Sequence, residues 1–443
     1  MKADFTRKLL KWNAVQNRRI MPWKGEKDPY KIWLSEIMLQ QTRVEQGIGY
    51  YERFIKAFPT VFALAKAPEK QVYKMWEGLG YYSRCKNLIH TARTLVEEHG
   101  GKFPSAYEEI LKLKGIGPYT AAAIASFAFN ECRAVVDGNV LRVISRYFGV
   151  STPIDDVAGK KIYHSLAGSL IDPDSPGTYN QAIMDFGATI CKPRSPLCGQ
   201  CVQSKECEAF RHGYIEDLPV KSKSLKKKAR WFYYFLIEIG DGVYIRKRTG
   251  KDIWQNLHEF VCFETDGDAA HGPGDILKKM LKRQPFIVRS SSEVYTQQLT
   301  HQQVHGRFIR VTIPLPGGGP EEDGKLQGPG KPALANRKVA TISKRHKNTA
   351  TSGQASDRAA GERILSGNKN AGASGQLRDA VDSDRMLLEK KITKLLARAD
   401  EHNAQGAIGY QLVKKNDLHE YAFPKLLHAY LKQVYPSPAR DDI

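Results

Sequence analysis

The sequence predicts a multidomain chain of two folded classes. Residues 1–211 read as all-helical, and 231–316 read as a smaller α+β region that resumes at 406–436. A long insert, 317–405, interrupts the second. The helical reading rests on apolar residues at helical spacing through Ile32, Leu34, Ile37 and Met38, and again through Ile110, Leu111 and Leu113. The change of class rests on the aromatic and β-branched runs WFYYFLIEI (231–239) and GVYIRKR (242–248). The insert rests on composition. No Phe, Tyr or Trp occurs between Phe308 and Tyr410, so this stretch has little apolar surface to set against its ordering entropy.

In chain order, Ser105 and Glu108 have capping-box spacing at the start of one helix. The string Leu113-Lys114-Gly115-Ile116-Gly117-Pro118 joins that helix to a small-residue helix through a tight turn. Glycines let the backbone turn sharply and let a phosphate approach the amides of the next helix. Twenty residues after Gly117 comes Val135-Val136-Asp137-Gly138-Asn139-Val140, where Asp137 on its own reads as a helix N-cap. Residues 212–230, polar, basic and holding a proline, read as a linker. Gly240-Asp241-Gly242 signals a hairpin, and 294–313 reads as strand, turn, strand. The insert is expected to be disordered over 317–380. Leu388, Ile392, Leu395, Leu396 and Ala399 share one helical face, which predicts a helix near 384–400 capped by Asp382 or Ser383. A strand and a helix follow over 409–433.

Composition narrows the function. The chain has 443 residues, a hydrophobic fraction of 41% and a formal charge of +21, which favours a polyanionic partner, nucleic acid or an anionic membrane. No apolar run reaches the roughly 20 residues of a membrane span. The N-terminal segment lacks the features of a secretory signal, so a reducing, cytoplasmic setting is expected. Seven cysteines are too few and too clustered for a disulfide framework.

Four of them form the strongest motif, Cys191-x6-Cys198-x2-Cys201-x5-Cys207. Four thiolates this close can converge on one metal centre. Spacing leaves zinc and an iron–sulfur cluster both open and slightly favours zinc. Glu36 is the second chemical signal. A carboxylate inside the apolar run Ser35-Glu36-Ile37-Met38-Leu39 should have its pKa raised by burial and hold a proton near neutrality.

Taken together, SEIMLQQT (35–42), the Gly-x-Gly-Pro turn, VDGNV (136–140) and the four-Cys loop resemble the MutY-type adenine DNA glycosylases of the helix-hairpin-helix superfamily. The resemblance covers about residues 5–315 and 409–433. It implies an all-helical glycosylase domain with an iron–sulfur loop, followed by a Nudix-like α+β domain, and it implies a [4Fe–4S] cluster on the four cysteines. No Nudix box occurs over 231–316, so that domain is expected to bind rather than hydrolyse. The implied substrate is double-stranded DNA holding adenine opposite 8-oxoguanine or guanine, met by a monomer at a bacterial nucleoid.

The resemblance also implies site roles. Glu36, Asp137, Tyr119 and Asn139 would be catalytic. Arg19, Trp23 and Gln181 would line the adenine pocket. Leu39, Gln40, Gln41, Thr42, Tyr81, Gly115 and Gly117 would meet DNA, with Tyr81 wedged into the base stack. Leu299-Thr300-His301 matches a Phe-Ser-His lesion-reading loop, which makes Thr300 and His301 the lesion contacts and puts Leu where the family has Phe. Lyase-competent relatives carry a lysine in the hairpin helix. Here the position after Gly117-Pro118 is Tyr119, which implies a monofunctional enzyme.

Overall fold

The computed structural model describes residues 2–222, 227–268, 273–315, 373–401 and 409–435. They divide into two compact units, one of residues 1–226 with 251–257 and 420–425, the other of the remaining chain. Of the stretch expected to be disordered, 317–372 lies outside the described residues, and 373–380 is helical instead.

The first unit is helical: α1 (Lys2–Val15), α2 (Pro29–Leu39), α3 (Val44–Ala57), α4 (Val61–Lys66), α5 (Glu69–Trp76), α6 (Tyr82–His99), α7 (Tyr107–Lys112), α8 (Pro118–Phe129), α9 (Gly138–Phe148), α10 (Val157–Leu170), α11 (Pro176–Thr189) and α12 (Glu208–Arg211). One core gathers Phe5, Leu9 and Trp12 of α1 with Val143 and Ile144 of α9, Tyr163 of α10 and Phe186 of α11. Helix α8, PYTAAAIASFAF, buries Thr120 through Ser126, and its alanines allow neighbours to approach closely.

Two expectations are corrected here. Ser105 does not cap α7. Its N-cap is Ala106, which makes no side-chain cap bond, and the Tyr107 amide donates to Glu131 Oε2 at 2.8 Å. The segment read as a linker is ordered at its start. Leu218 is buried and its carbonyl accepts from Arg146 Nε at 3.0 Å. The first strand also begins inside that segment, at Lys228.

The second unit is built on a mixed sheet of β1 (Lys228–Ile239), β2 (Gly242–Lys247), β3 (His258–Glu259), β4 (Val261–Thr265), β5 (Ile287–Ser291), β6 (Tyr295–Gln298), β7 (Gln302–Thr312) and β8 (Gln411–Lys414). The main path runs β3-β2-β1-β7-β5. β1 and β7 are parallel, and the other pairs are antiparallel. β1 is buried on both faces, which explains its unbroken apolar run. On one face Tyr233, Phe235 and Ile237 pack under α13 (Pro273–Leu281) and α14 (Ala373–Glu401). On the other, Phe308 stacks on Tyr430 of α15 (Lys425–Val434), with centroids 4.2 Å apart.

α14 corrects the extent of the expected insert helix. It begins at Ala373, not near 384, so Asp382 and Ser383 lie inside it rather than at its N-terminus. Its burial follows the expected face, with Leu388, Ile392 and Leu396 in the sheet's core. No helix among the described residues is long and apolar enough to cross a membrane.

Candidate active site

Helix α2 places the first carboxylate. Asp28 caps it, accepting from the Tyr30 amide at 2.9 Å, and Pro29 occupies the first turn, where no amide partner is needed. The helix is then buried from Ile32 to Met38, so Glu36 has no solvent face and is only 7% exposed. Burial pushes its carboxyl up to about 7, against the pull of a hydrogen bond from Tyr119 and with a further push from the Asp137 charge.

Asp137 stands at the N-cap of α9. Its Oδ1 accepts from the amides of Asn139 at 2.9 Å and Val140 at 2.8 Å, and its Oδ2 accepts from Asn139 Nδ2 at 2.7 Å. The cap and the site are therefore one residue. Burial raises its pKa while these bonds hold it down. Asn139 Oδ1 accepts in turn from Arg142 Nη2 at 2.9 Å, and Arg142 Nε donates to the Cys191 carbonyl at 2.7 Å. Tyr119, at the start of α8, has its hydroxyl 3.4 Å from Met184 Sδ. Burial, and then the carboxylates of Glu36 and Asp137, push its phenol well above the usual range.

Glu36 borders a pocket with Trp23, Lys24, Ser35, Phe127 and Gln181. Of the expected adenine-pocket residues, Trp23 and Gln181 line it. Arg19 does not; it lines a neighbouring recess and pairs with Asp185 at 2.9 Å.

The segment after α2 is tightly held. Gln40 Nε2 donates to Thr120 Oγ1 at 3.1 Å. The buried Arg84 donates from Nη1 to the carbonyls of Ile37 at 2.6 Å, Met38 at 3.0 Å and Gln40 at 2.6 Å. Next in the chain, Gln41 takes φ +56°, and Thr42 bonds back to the Leu39 carbonyl at 3.0 Å. Tyr81 also takes a positive φ, +49°, at the N-cap of α6, and is 40% exposed. Left-handed backbone at two non-glycine residues stores strain where ligands are commonly met.

The two turn glycines differ in kind. Gly115 has φ +80°, and a Cβ there would come within 2.6 Å of Asn87 Cβ, so the fold itself demands glycine. At Gly117 a Cβ would meet nothing within 4 Å, so the free protein gives no packing reason for glycine.

The four clustered cysteines line one small cavity with Arg146 and Leu197. All are free thiols. Arg146 Nη1 points at Cys191 Sγ, 3.7 Å away, and burial pushes the Cys201 thiol up to about 12. Among the described residues, no three Cys, His, Asp or Glu side chains close on a single metal ion. In the second unit, Thr300 and His301 sit in the turn between β6 and β7. The His301 side chain is exposed, and its carbonyl accepts from the Lys228 amide at 3.0 Å.

Sequence reasoning passed over Asp185, Lys24, Arg84 and Arg142. Asp185 carries the signal that exposed Glu36, a carboxylate in an apolar helical run (AIMDF, 182–186).

Comparison with known proteins gives this site a context. The model of the HhH-GPD superfamily of base excision DNA repair proteins matches residues 34–164, a span that holds Glu36, the glycine turn and Asp137. The adenine DNA glycosylase of Buchnera aphidicola subsp. Schizaphis graminum is 38% identical over 266 residues, covering 59% of this chain and 75% of that protein. The chain belongs to the adenine DNA glycosylase family. Members of this family are helix-hairpin-helix glycosylases of the MutY type, hydrolases of the N-glycosyl bond. The human adenine DNA glycosylase is 42% identical over 224 residues, covering 48% of this chain and 41% of that one. A solved structure of a thermostable thymine-DNA glycosylase is 32% identical, with a TM-score of 0.45 over 48% of this chain and 97% of that one.

Proposed function

We propose that this glycosylase removes adenine mispaired with 8-oxoguanine or guanine, hydrolysing the N-glycosyl bond without a lyase step. The observation that carries the reading is a buried carboxyl, Glu36, held near neutrality at the edge of a pocket and beside a second carboxylate, Asp137. A stacked base cannot reach such a pocket, so adenine must be flipped out of the duplex. Glu36 then donates its proton to the adenine ring and makes the base a better leaving group. Asp137 stabilises the positive charge that develops on the sugar. Tyr119 and Asn139 hold these two carboxylates in place. Gly117, with open space over its Cα, lets a DNA phosphate approach the start of α8. Gln40, Gln41, Thr42 and Tyr81 fill the space left by the flipped base.

Cys191, Cys198, Cys201 and Cys207 would hold a [4Fe–4S] cluster. Four thiols around one cavity suit a cluster whose irons each take one thiolate. When bound, the cluster would tie residues 191–207 into one rigid loop. The second unit, a mixed sheet between helices, is read as a Nudix-like lesion-recognition domain with Thr300 and His301 as its contacts. The enzyme would act as a monomer in the cytoplasm.

Release of adenine from A:8-oxoguanine, A:G and A:C duplexes tests the reading, with borohydride as a trap for any imine. Excision without trapping supports it. Full excision by Glu36→Gln, or a trapped covalent adduct, would remove the mechanism.

A further inference from the structure

Asp185 lies one turn after Gln181 on α11, and its side chain is fully buried. A buried carboxylate persists only when its acceptor sites are filled. Here they are. Oδ1 accepts from Arg19 Nη1 at 2.9 Å and from Gln181 Nε2 at 3.0 Å. Oδ2 accepts from Asn17 Nδ2 at 2.8 Å and from Lys24 Nζ at 2.9 Å. Asn17 is itself fixed, because its Oδ1 accepts from the Arg19 amide at 3.1 Å.

Facing four donors, Asp185 has nothing to donate, so the Gln181 amide must turn its NH2 toward it. Its Oε1 faces away and has no protein partner among the described residues. Gln181 lines the pocket that Glu36 borders. Rotating the amide by half a turn would set Oε1 against the carboxylate, acceptor on acceptor.

We infer that Asp185 is a positioning residue that locks the Gln181 amide, so that the pocket offers an acceptor and selects purines with a 6-amino group over those with a 6-oxo group. The inference rests on the adenine-pocket reading above. An exocyclic amine donates to Oε1. A 6-oxo purine brings a second acceptor to the same place, and the locked amide cannot turn to meet it.

Single-turnover release of adenine and of hypoxanthine, each opposite the same partner base, tests the lock in wild type, Asp185→Asn, Gln181→Leu and the double variant. Comparing ratios between variants cancels the differing leaving-group abilities of the bases. Asp185→Asn keeps the size but offers an NH2 of its own, which frees the Gln181 amide to turn. The adenine-to-hypoxanthine ratio should fall about tenfold or more in each single variant, and no further in the double variant. Equal loss of both rates in Asp185→Asn, or effects that multiply in the double variant, would overturn the lock and leave Asp185 a structural residue. Should Asp185→Asn not fold, Asp185→Ser poses the same question, because its hydroxyl either donates or accepts. If wild type releases neither base, the functional reading fails instead. Calorimetric binding of free adenine against free hypoxanthine, in wild type and in Asp185→Asn, then still decides the lock by the same ratio.

Discussion

Replacing Glu36 with glutamine should make the protein more stable and less active at once, and the size of the gain depends on pH. The carboxyl moves from an ordinary value of 4.5 to about 7 in the folded chain, chiefly because burial disfavours its charge. That displacement separates the protonated and charged forms by roughly 3 kcal/mol. Between 4.5 and 7 the folded protein keeps a proton that the unfolded chain has released. Stability therefore falls as pH rises through this window, and the loss is complete above about 7. Glutamine has no charge to bury. Urea unfolding of the helical unit from pH 4 to 8.5 should show the two proteins equal near pH 4 and Glu36→Gln more stable at pH 8, by up to about 3 kcal/mol. Over the same range, wild-type single-turnover excision should drop about fivefold from pH 7 to 8 as the acid form is lost. The variant should be slower by about a hundredfold or more and lack that slope. Parallel pH–stability curves for the two proteins would refute the account of Glu36 as a buried, proton-holding acid.

Two further substitutions separate fold from contact. Gly115→Ala should destabilise by about 1–3 kcal/mol in thermal melts, since it strains a left-handed residue and strikes Asn87, whereas Gly117→Ala should melt like wild type and lose duplex affinity in a filter or fluorescence titration. Arg84→Lys should lower stability by about 2–4 kcal/mol, because the shorter lysine cannot carry its ammonium to where Nη1 meets three carbonyls and has no second nitrogen for the Gly80 carbonyl. Equal melting of Arg84→Lys and wild type would show that those carbonyls find other partners.

Much of the site was legible because its signals are local. A carboxylate in the run SEIML can only be buried if the helix is, and the Gly-x-Gly-Pro string dictates its own turn. What the sequence hid depends on residues far apart. Arg84 serves carbonyls more than forty positions upstream, and a carbonyl acceptor leaves no mark on side-chain pattern. Glu131, not Ser105, meets the start of α7, because the loop after α8 returns to that end. The first turns of α14 lie outside the apolar face over 388–399 that predicts the helix, so the pattern points to a later start than the helix has. Asp185 was legible by the rule that found Glu36, and was overlooked because no motif pointed to it.

The order of the strands in the second unit has a consequence for how this chain is made. β2 pairs with β8 from Gly242 against Lys414 to Ile245 against Gln411, so one flank of the sheet is supplied by residues that leave the ribosome long after the rest. The parallel pairing of β1 with β7 can form as soon as residue 312 has emerged. Until β8 arrives, β2 presents an unpaired backbone edge beside the Tyr244 and Ile245 side chains, the kind of surface that recruits strands from other chains. A message truncated anywhere in the insert would yield all twelve helices α1–α12 tethered to a sheet with that edge left open. Such a product is expected to aggregate, even though every residue of the candidate catalytic pocket is present.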